Sequence, residues 1–165
     1  MIVREERPSD YSEISAVVEA AFRDVAVARL VVDIRASPGH RPQFSLVADE
    51  DGAVIGHVML SEVGVGDARA LQLSPLAVHP DRQRRGVGSA LVREALRLAV
   101  AHAEPLVLVE GDPAYYSRFG FVRSTELGVE RPHEGVPEWA FQGIALAGGH
   151  PRGRAVYPPP FDPFV

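Results

Sequence analysis

Cysteine is absent from this chain, which excludes disulfides, a thiolate metal site and a cysteine nucleophile. Long hydrophobic runs are absent too. None approaches the roughly 20 residues needed to span a bilayer, and no signal-peptide pattern opens the sequence. The expectation is a cytoplasmic protein that works without a membrane. Basic residues are in deficit, with 17 Lys and Arg against 22 Asp and Glu and a formal net charge of −5; that balance argues against nucleic acid as a partner. Neither repeats nor a linker divides the sequence, so residues 1–165 read as one domain, long enough to bury a good core. A content of 46% hydrophobic and 24% charged residues is that of an ordinary soluble globular protein.

The most informative stretch runs from Leu71 to Leu98. A β-type run ends at Val78, a polar segment follows from His79 to Gln83, and Arg84-Arg85-Gly86-Val87-Gly88 leads straight into a helix. The first N–H groups of a helix have no internal partner and carry partial positive charge, so they receive anions well. Glycines at 86 and 88 let the backbone approach a phosphate without a Cβ in the way. Arg82, Arg84 and Arg85 add full charges suited to phosphate. A solvated βα turn that is merely basic would have the same composition. Other phosphate motifs fit less well. A Walker loop needs Lys-Ser/Thr after its last glycine, and a dinucleotide fingerprint needs glycine where Leu91 stands. Glu110 does lie at the spacing of that fingerprint's ribose-binding acid, but His79 to Arg85 intervene where a tight turn is required.

Along the rest of the chain, Ile2 to Glu6 reads as a strand. Pro8, Ser9 and Asp10 supply a helix start, with Glu13 as capping-box partner. Ile14, Val17, Val18, Ala21 and Phe22 form one helical face; Val27, Leu30, Val31 and Ile34 form a second, which stops at Ser37-Pro38-Gly39. Phe44–Ala48, Ala53–Val63 and Arg69–Val78 read as an antiparallel meander. In the last of these, Leu71 and Leu73 have one parity and Leu76 and Val78 the other. A strand of period two cannot turn both pairs to one face unless an extra residue intervenes, and Ser74-Pro75 sits at the break. A β-bulge near Ser74 is expected, the alternative being a loop proline between two short strands. A helix over Val87–Ala103, a buried parallel strand over Leu106–Val109, a short helix from Pro113 to Gly120, and strands over Trp139–Leu146 and Arg154–Tyr157 complete the reading.

Gln83-x-x-Gly86-x-Gly88 resembles the acyl-CoA pyrophosphate loop of the GNAT superfamily of N-acyltransferases. LAVHP before it and GDPAYYSRFGF after it agree in order and spacing. The resemblance covers nearly the whole chain and is nearest to small bacterial acetyltransferases carrying a GDPAYYxRFGF segment. It implies an α+β fold, layered α/β/α, with a mixed but mostly antiparallel central sheet whose bulged fourth strand splays from its neighbour. It also implies acetyl-CoA as cosubstrate and no metal. Leu76, Ala77 and Val78 would pair with the pantetheine arm, and Gln83, Arg84, Arg85, Gly86, Val87, Gly88 and Ser89 would hold the pyrophosphate.

Tyr116 matches the family tyrosine that faces the departing sulfur and would act as general acid, a phenol with a pKa of about 10 being a sensible donor to a thiolate. Where some members carry a glutamate base this chain has Gln72, which cannot take a proton. That leaves Glu62 or Glu110 as base or water relay, with Asp112 and His79 as further candidates and His57 and His102 read as structural. The family asparagine before the short helix is replaced by Gly111-Asp112. The acceptor implied is a small-molecule or protein amine, and a homodimer is left open. The altered position 72 also leaves open a non-catalytic acyl-CoA sensor on the same fold.

Overall fold

The computed structural model describes residues 1–164. In chain order its elements are β1 (Ile2–Glu5), α1 (Tyr11–Phe22), α2 (Val25–Arg35), β2 (Ser45–Glu50), β3 (Ala53–Val65), β4 (Ala68–Val78), α3 (Val87–Ala101), β5 (Leu106–Glu110), α4 (Pro113–Tyr116), β6 (Val122–Arg123), β7 (Val129–Glu130), β8 (Phe141–Ala145) and β9 (Gly153–Val156). The strands order as β1-β2-β3-β4-β5-β8-β6, with β9 pairing the end of β3 and β7. Along that path every neighbouring pair is antiparallel except β4 and β5. A parallel pair needs a long crossover, and α3 supplies it. No helix among the described residues is long and apolar enough to cross a membrane.

Side-chain alternation divides the core between the two faces. Leu46, Val58, Leu60, Leu71, Leu73, Val107 and Val109 turn toward α3, whose Leu91, Val92, Ala95 and Ala99 are fully covered. On the opposite face, Val47, Met59 and Ala77 receive Ile14, Val17 and Val18 of α1 and Ala28, Val31 and Ile34 of α2. Leu106 and Leu108 also face that side, but they are covered by Val129, Val136 and Phe141 from the later part of the chain. One face therefore carries one long helix, and the other carries two separate covers with a space between them.

The expected β-bulge is present. Val58 pairs with Leu76 and Leu60 with Leu73, so Ser74 and Pro75 together oppose Met59. The extra residue puts Leu76 and Val78 back on the α3 side with Leu71 and Leu73. Other boundaries differ from the expectations. α3 ends at Ala101, short of Ala103, which takes a left-handed φ of 58°. β8 begins at Phe141, so Trp139 lies outside the strand, in a turn closed by Ala140 N–H donating to the Pro137 carbonyl at 3.0 Å.

The capping box at Asp10 and Glu13 is not formed. Asp10 accepts from Arg7 N–H at 2.7 Å and from the Arg4 guanidinium at 2.8 and 3.1 Å, while Glu13 accepts from Val54 N–H at 2.9 Å. A half-buried guanidinium requires a charged partner more strongly than a helix start requires a cap. Arg4 holds the Asp10 carboxyl below its ordinary range.

α3 sits unusually close to the sheet. A Cβ added to Gly56 would stand 2.9 Å from Leu91 Cδ1 and 3.1 Å from Val87 Cγ1. Gly56→Ala is therefore expected to lift the first turns of α3 and cost about 1–3 kcal/mol, the scale of overpacking. Urea unfolding checks this. Adding Leu91→Ala should make the double variant lose less than the sum of the two single losses.

Candidate active site

Pairing between β4 and β5 is confined to Leu71–Val107, Gln72–Leu108 and Leu73–Val109. Beyond Leu73 the bulge carries β4 away, and Leu76, Ala77 and Val78 remain paired only to β3, through Val58, His57 and Gly56. Backbone N–H and C=O groups on the other edge have no strand opposite them, and such groups demand hydrogen bonds. An extended ligand with amides of its own can supply them. The edge leads directly into the glycine turn.

In that turn Gly86 takes a left-handed φ of 83° and forms the N-cap of α3 without a side-chain cap. Ala90 N–H is bonded to the Gly86 carbonyl at 3.0 Å, and the N–H groups just before it, of Val87, Gly88 and Ser89, belong to the unpartnered first turn. Gln83 ties the turn to the strand end, its Nε2 donating to the Val78 carbonyl at 3.1 Å. Arg84 and Arg85 are exposed. Arg82 is paired with Glu50, whose carboxylate accepts from its Nε at 2.9 Å. Near the helix start, a Cβ on Gly88 would lie 2.6 Å from Tyr115 Oη and 3.6 Å from Val78 Cγ2. Tyr115 thus reaches from α4 to the glycine turn.

Where β4 and β5 part, on the face between the two covers, lies a cleft of about 1170 Å³. Its walls are Leu73 to Leu76 on one strand and Glu110 to Asp112 on the other, with Tyr115 and Tyr116 from α4. Tyr116 is placed by local sequence. Asp112 caps α4 by accepting from Ala114 N–H at 2.9 Å, Pro113 starts it, and Gly120 stops the chain beyond it. The preceding turn is pinned to β8 by Gly111 N–H donating to the Ala140 carbonyl at 2.9 Å and Gln142 Nε2 donating to the Gly111 carbonyl at 3.1 Å. Tyr116 is buried against Phe121, ring centroids 5.6 Å apart, and burial pushes its phenol well above the ordinary value.

Three polar side chains meet in the cleft, and sequence reasoning joined none of them. Gln72, only 2% exposed, donates from Nε2 to Tyr157 Oη at 3.3 Å, while its Oε1 is buried with no partner. The Tyr157 phenol lies close enough to the Glu110 carboxyl for each to shift the other. Partial burial pushes the Glu110 carboxyl up, while His133 and the Tyr157 phenol pull it back. His133 stands edge-on to the Tyr157 ring, centroids 6.4 Å apart. Gln72 and Glu110 share a face by strand parity, which was readable in advance. Tyr157 is the residue after the end of β9, and no local signal announces it.

Glu62, the other base candidate, is placed elsewhere. It is held by the guanidiniums of Arg41 and Arg69 and lines a second hollow with Pro158 to Pro160. The structure does not bring it together with Tyr116. His79 Nδ1 accepts from Asp81 N–H at 3.3 Å, as a turn residue does. His57 is wholly buried, 3.8 Å from Glu6, and burial pushes it down to about 4. His102 packs edge-on against Phe44.

Residues 10–121 match the Acetyltransferase (GNAT) family. The chain is 37% identical over 123 residues to the "Uncharacterized N-acetyltransferase YhbS" of Escherichia coli (strain K12), covering 73% of each protein. It is also 34% identical over 117 residues to YjhQ of the same strain, covering 68% of this chain and 65% of that one. The crystal structure of E. coli YhbS in complex with CoA overlays with a TM-score of 0.91 at 33% identity, covering 99% of this chain and 93% of the other. A GNAT acetyltransferase from Brucella melitensis in complex with acetyl-CoA gives 0.82 at 34%, over 98% and 97%. The matched residues include the bulged strand, the glycine turn and Tyr116, and on this footing the chain belongs to the acetyltransferase (GNAT) family.

Proposed function

We propose that this protein moves an acetyl group from acetyl-CoA to the nitrogen of a primary amine in one ternary complex. What supports the reading is an unpaired strand edge that runs from the cleft holding Glu110 and Tyr116 to the glycine turn at the start of α3. The donor fits those residues: Leu76, Ala77 and Val78 offer backbone groups to an amide-bearing arm, and residues 84 to 89 offer N–H groups and two free arginines to a pyrophosphate. When bound, it supplies an acyl group activated as a thioester. The Val78 N–H stabilises negative charge developing on the carbonyl oxygen.

Glu110 receives the proton lost by the amine, directly or through water, as the C–N bond forms. Tyr116 returns a proton to the sulfur as the C–S bond breaks, giving an amide and a free thiol. A carboxyl with a raised pKa is a stronger base than an exposed one, which suits Glu110. Burial keeps the Tyr116 phenol protonated at neutral pH but also makes it a weaker acid, so its proton moves only as charge builds on the departing sulfur. Gln72 favours a second reading, a binding module without turnover, because its amide cannot accept a proton. Thiol release on addition of amines separates the two, since a sensor binds and releases none.

Tyr116→Phe should keep acetyl-CoA affinity and lower kcat about 10²-fold, the scale of losing a positioned acid. Calorimetry and thiol release read the two halves. An undiminished kcat removes the acid role.

The pH profile tests Glu110. The base must be deprotonated, so kcat/KM should rise with pH through a pKa above the usual carboxylate range. Because the Tyr157 phenol lowers that pKa, Tyr157→Phe should move the rising limb to higher pH, and Glu110→Gln should abolish it.

Gly88→Val should weaken acetyl-CoA binding at least about tenfold by crowding the first turn of α3. Arg84→Ala and Arg85→Ala should each weaken it modestly, with losses that fade above roughly 0.1 M salt. Arg82→Ala, already paired with Glu50, should change it little.

A further inference from the structure

We infer that the acceptor is a monocationic amine on an aromatic or apolar body, with no carboxylate beside the amino group. This rests on the acetyl-transfer reading for the cleft and specifies what enters its open side.

Two independent features converge on it. The first is at the floor. Gln72 Oε1 is an acceptor, buried and unpartnered, and it lines the cleft. Its own Nε2 is spent on Tyr157. Among the groups that line the cleft, the unfilled hydrogen-bonding capacity is of the accepting kind, an amide oxygen and a carboxylate; the unpartnered Nε2 of His133 lies outside that lining. A buried acceptor without a donor is costly, and an ammonium or amine is a ligand head made of donors alone. Charge agrees. Glu110 and Asp112 are the ionisable carboxyl groups on the wall, and Arg, Lys and His are missing from it. A cation is therefore favoured, and a carboxylate next to the amino group would meet like charge at short range.

The second feature is at the mouth. Among the described residues the exposed aromatic side chains are Phe22, Trp139 and Phe164, at 44%, 57% and 42%. They come from α1, from the turn before β8 and from the C-terminal segment, yet all three line this cleft. Convergence of exposed aromatics on one opening marks a binding rim. Such rings cover an apolar body, and their faces attract a passing cation. A short hydrophilic amine would leave this rim uncovered.

The test uses the single tryptophan. Trp139 is the chain's only one, so its emission, excited at a wavelength that phenyl ligands do not absorb, reports occupancy of the mouth without turnover. With acetyl-CoA present, 2-phenylethylamine should shift or quench it at concentrations at least about tenfold below those needed for L-phenylalanine or spermidine, and 3-phenylpropionate should do nothing. Glu110→Gln should erase the preference for phenylethylamine over phenylalanine, and Phe22→Ser or Phe164→Ser should weaken phenylethylamine while leaving acetyl-CoA affinity alone. Equal binding of phenylalanine, or tighter binding of spermidine, overturns the inference. Thiol release separates this failure from failure of the acetyl-transfer reading. Turnover of hydrophilic amines with no preference sinks the inference and keeps the activity. The expected binding order with no thiol released by any amine keeps the inference and sinks the activity.

Discussion

One surplus residue in β4 governs the rest. With Ser74 and Pro75 opposing Met59, the strand satisfies two demands that a regular strand cannot meet together. Leu71 and Leu73 before the bulge, and Leu76 and Val78 after it, all face α3, while the strand direction leaves β5 beyond Leu73. The first demand belongs to the core and the second to the cleft. A regular strand would keep either the apolar face or the opening. α3 depends on the same event, because the strand that bends away ends in the turn from which the helix starts, and Gly56 on β3 lets the helix lie close enough for that turn to point at the strand edge.

The proposed proton handling depends on three polar groups that lie together in the cleft. Gln72 donates to Tyr157, and the Tyr157 phenol pulls the Glu110 carboxyl down. Because the phenol is one group serving two neighbours, it fixes which end of the Gln72 amide faces the cleft and how basic Glu110 becomes. Burial raises the carboxyl and the phenol restrains it, so its basicity is a balance between desolvation and one neighbouring phenol rather than a property of either. Replacing the family's glutamate by Gln72 does not leave the cleft without a proton acceptor, since the carboxylate of the neighbouring strand faces the same space.

What was legible in the sequence was what is local. The parity break across Ser74-Pro75 announced the bulge, Gly86 and Gly88 ahead of an apolar helix announced the turn that opens α3, and Pro113 and Gly120 bracketed the helix of Tyr116. What the local pattern did not show is which side chains a distant charge pairs. Asp10 reads as a cap but answers Arg4; Arg82 reads as a phosphate ligand but answers Glu50. Glu62 looks available until Arg41 and Arg69 close on it. Tyr157 follows a short terminal strand whose composition says nothing about its neighbours, and it is tertiary packing that brings it to Gln72.

The parted strands also bear on solubility. An unpaired strand edge is a template for another chain, and proteins commonly blunt such edges with charge or proline. Here the edge from Ser74 to Val78 lies inside the sheet, between β3 and the departing β5, and carries Pro75. Tyr115 and Tyr116 stand beside it along the cleft. A slender arm can slide in along that edge, but a whole foreign strand with its side chains would have to displace α4. The geometry that admits a ligand thereby keeps the open edge from recruiting a second protein, and the sheet can stay permanently ajar without becoming sticky.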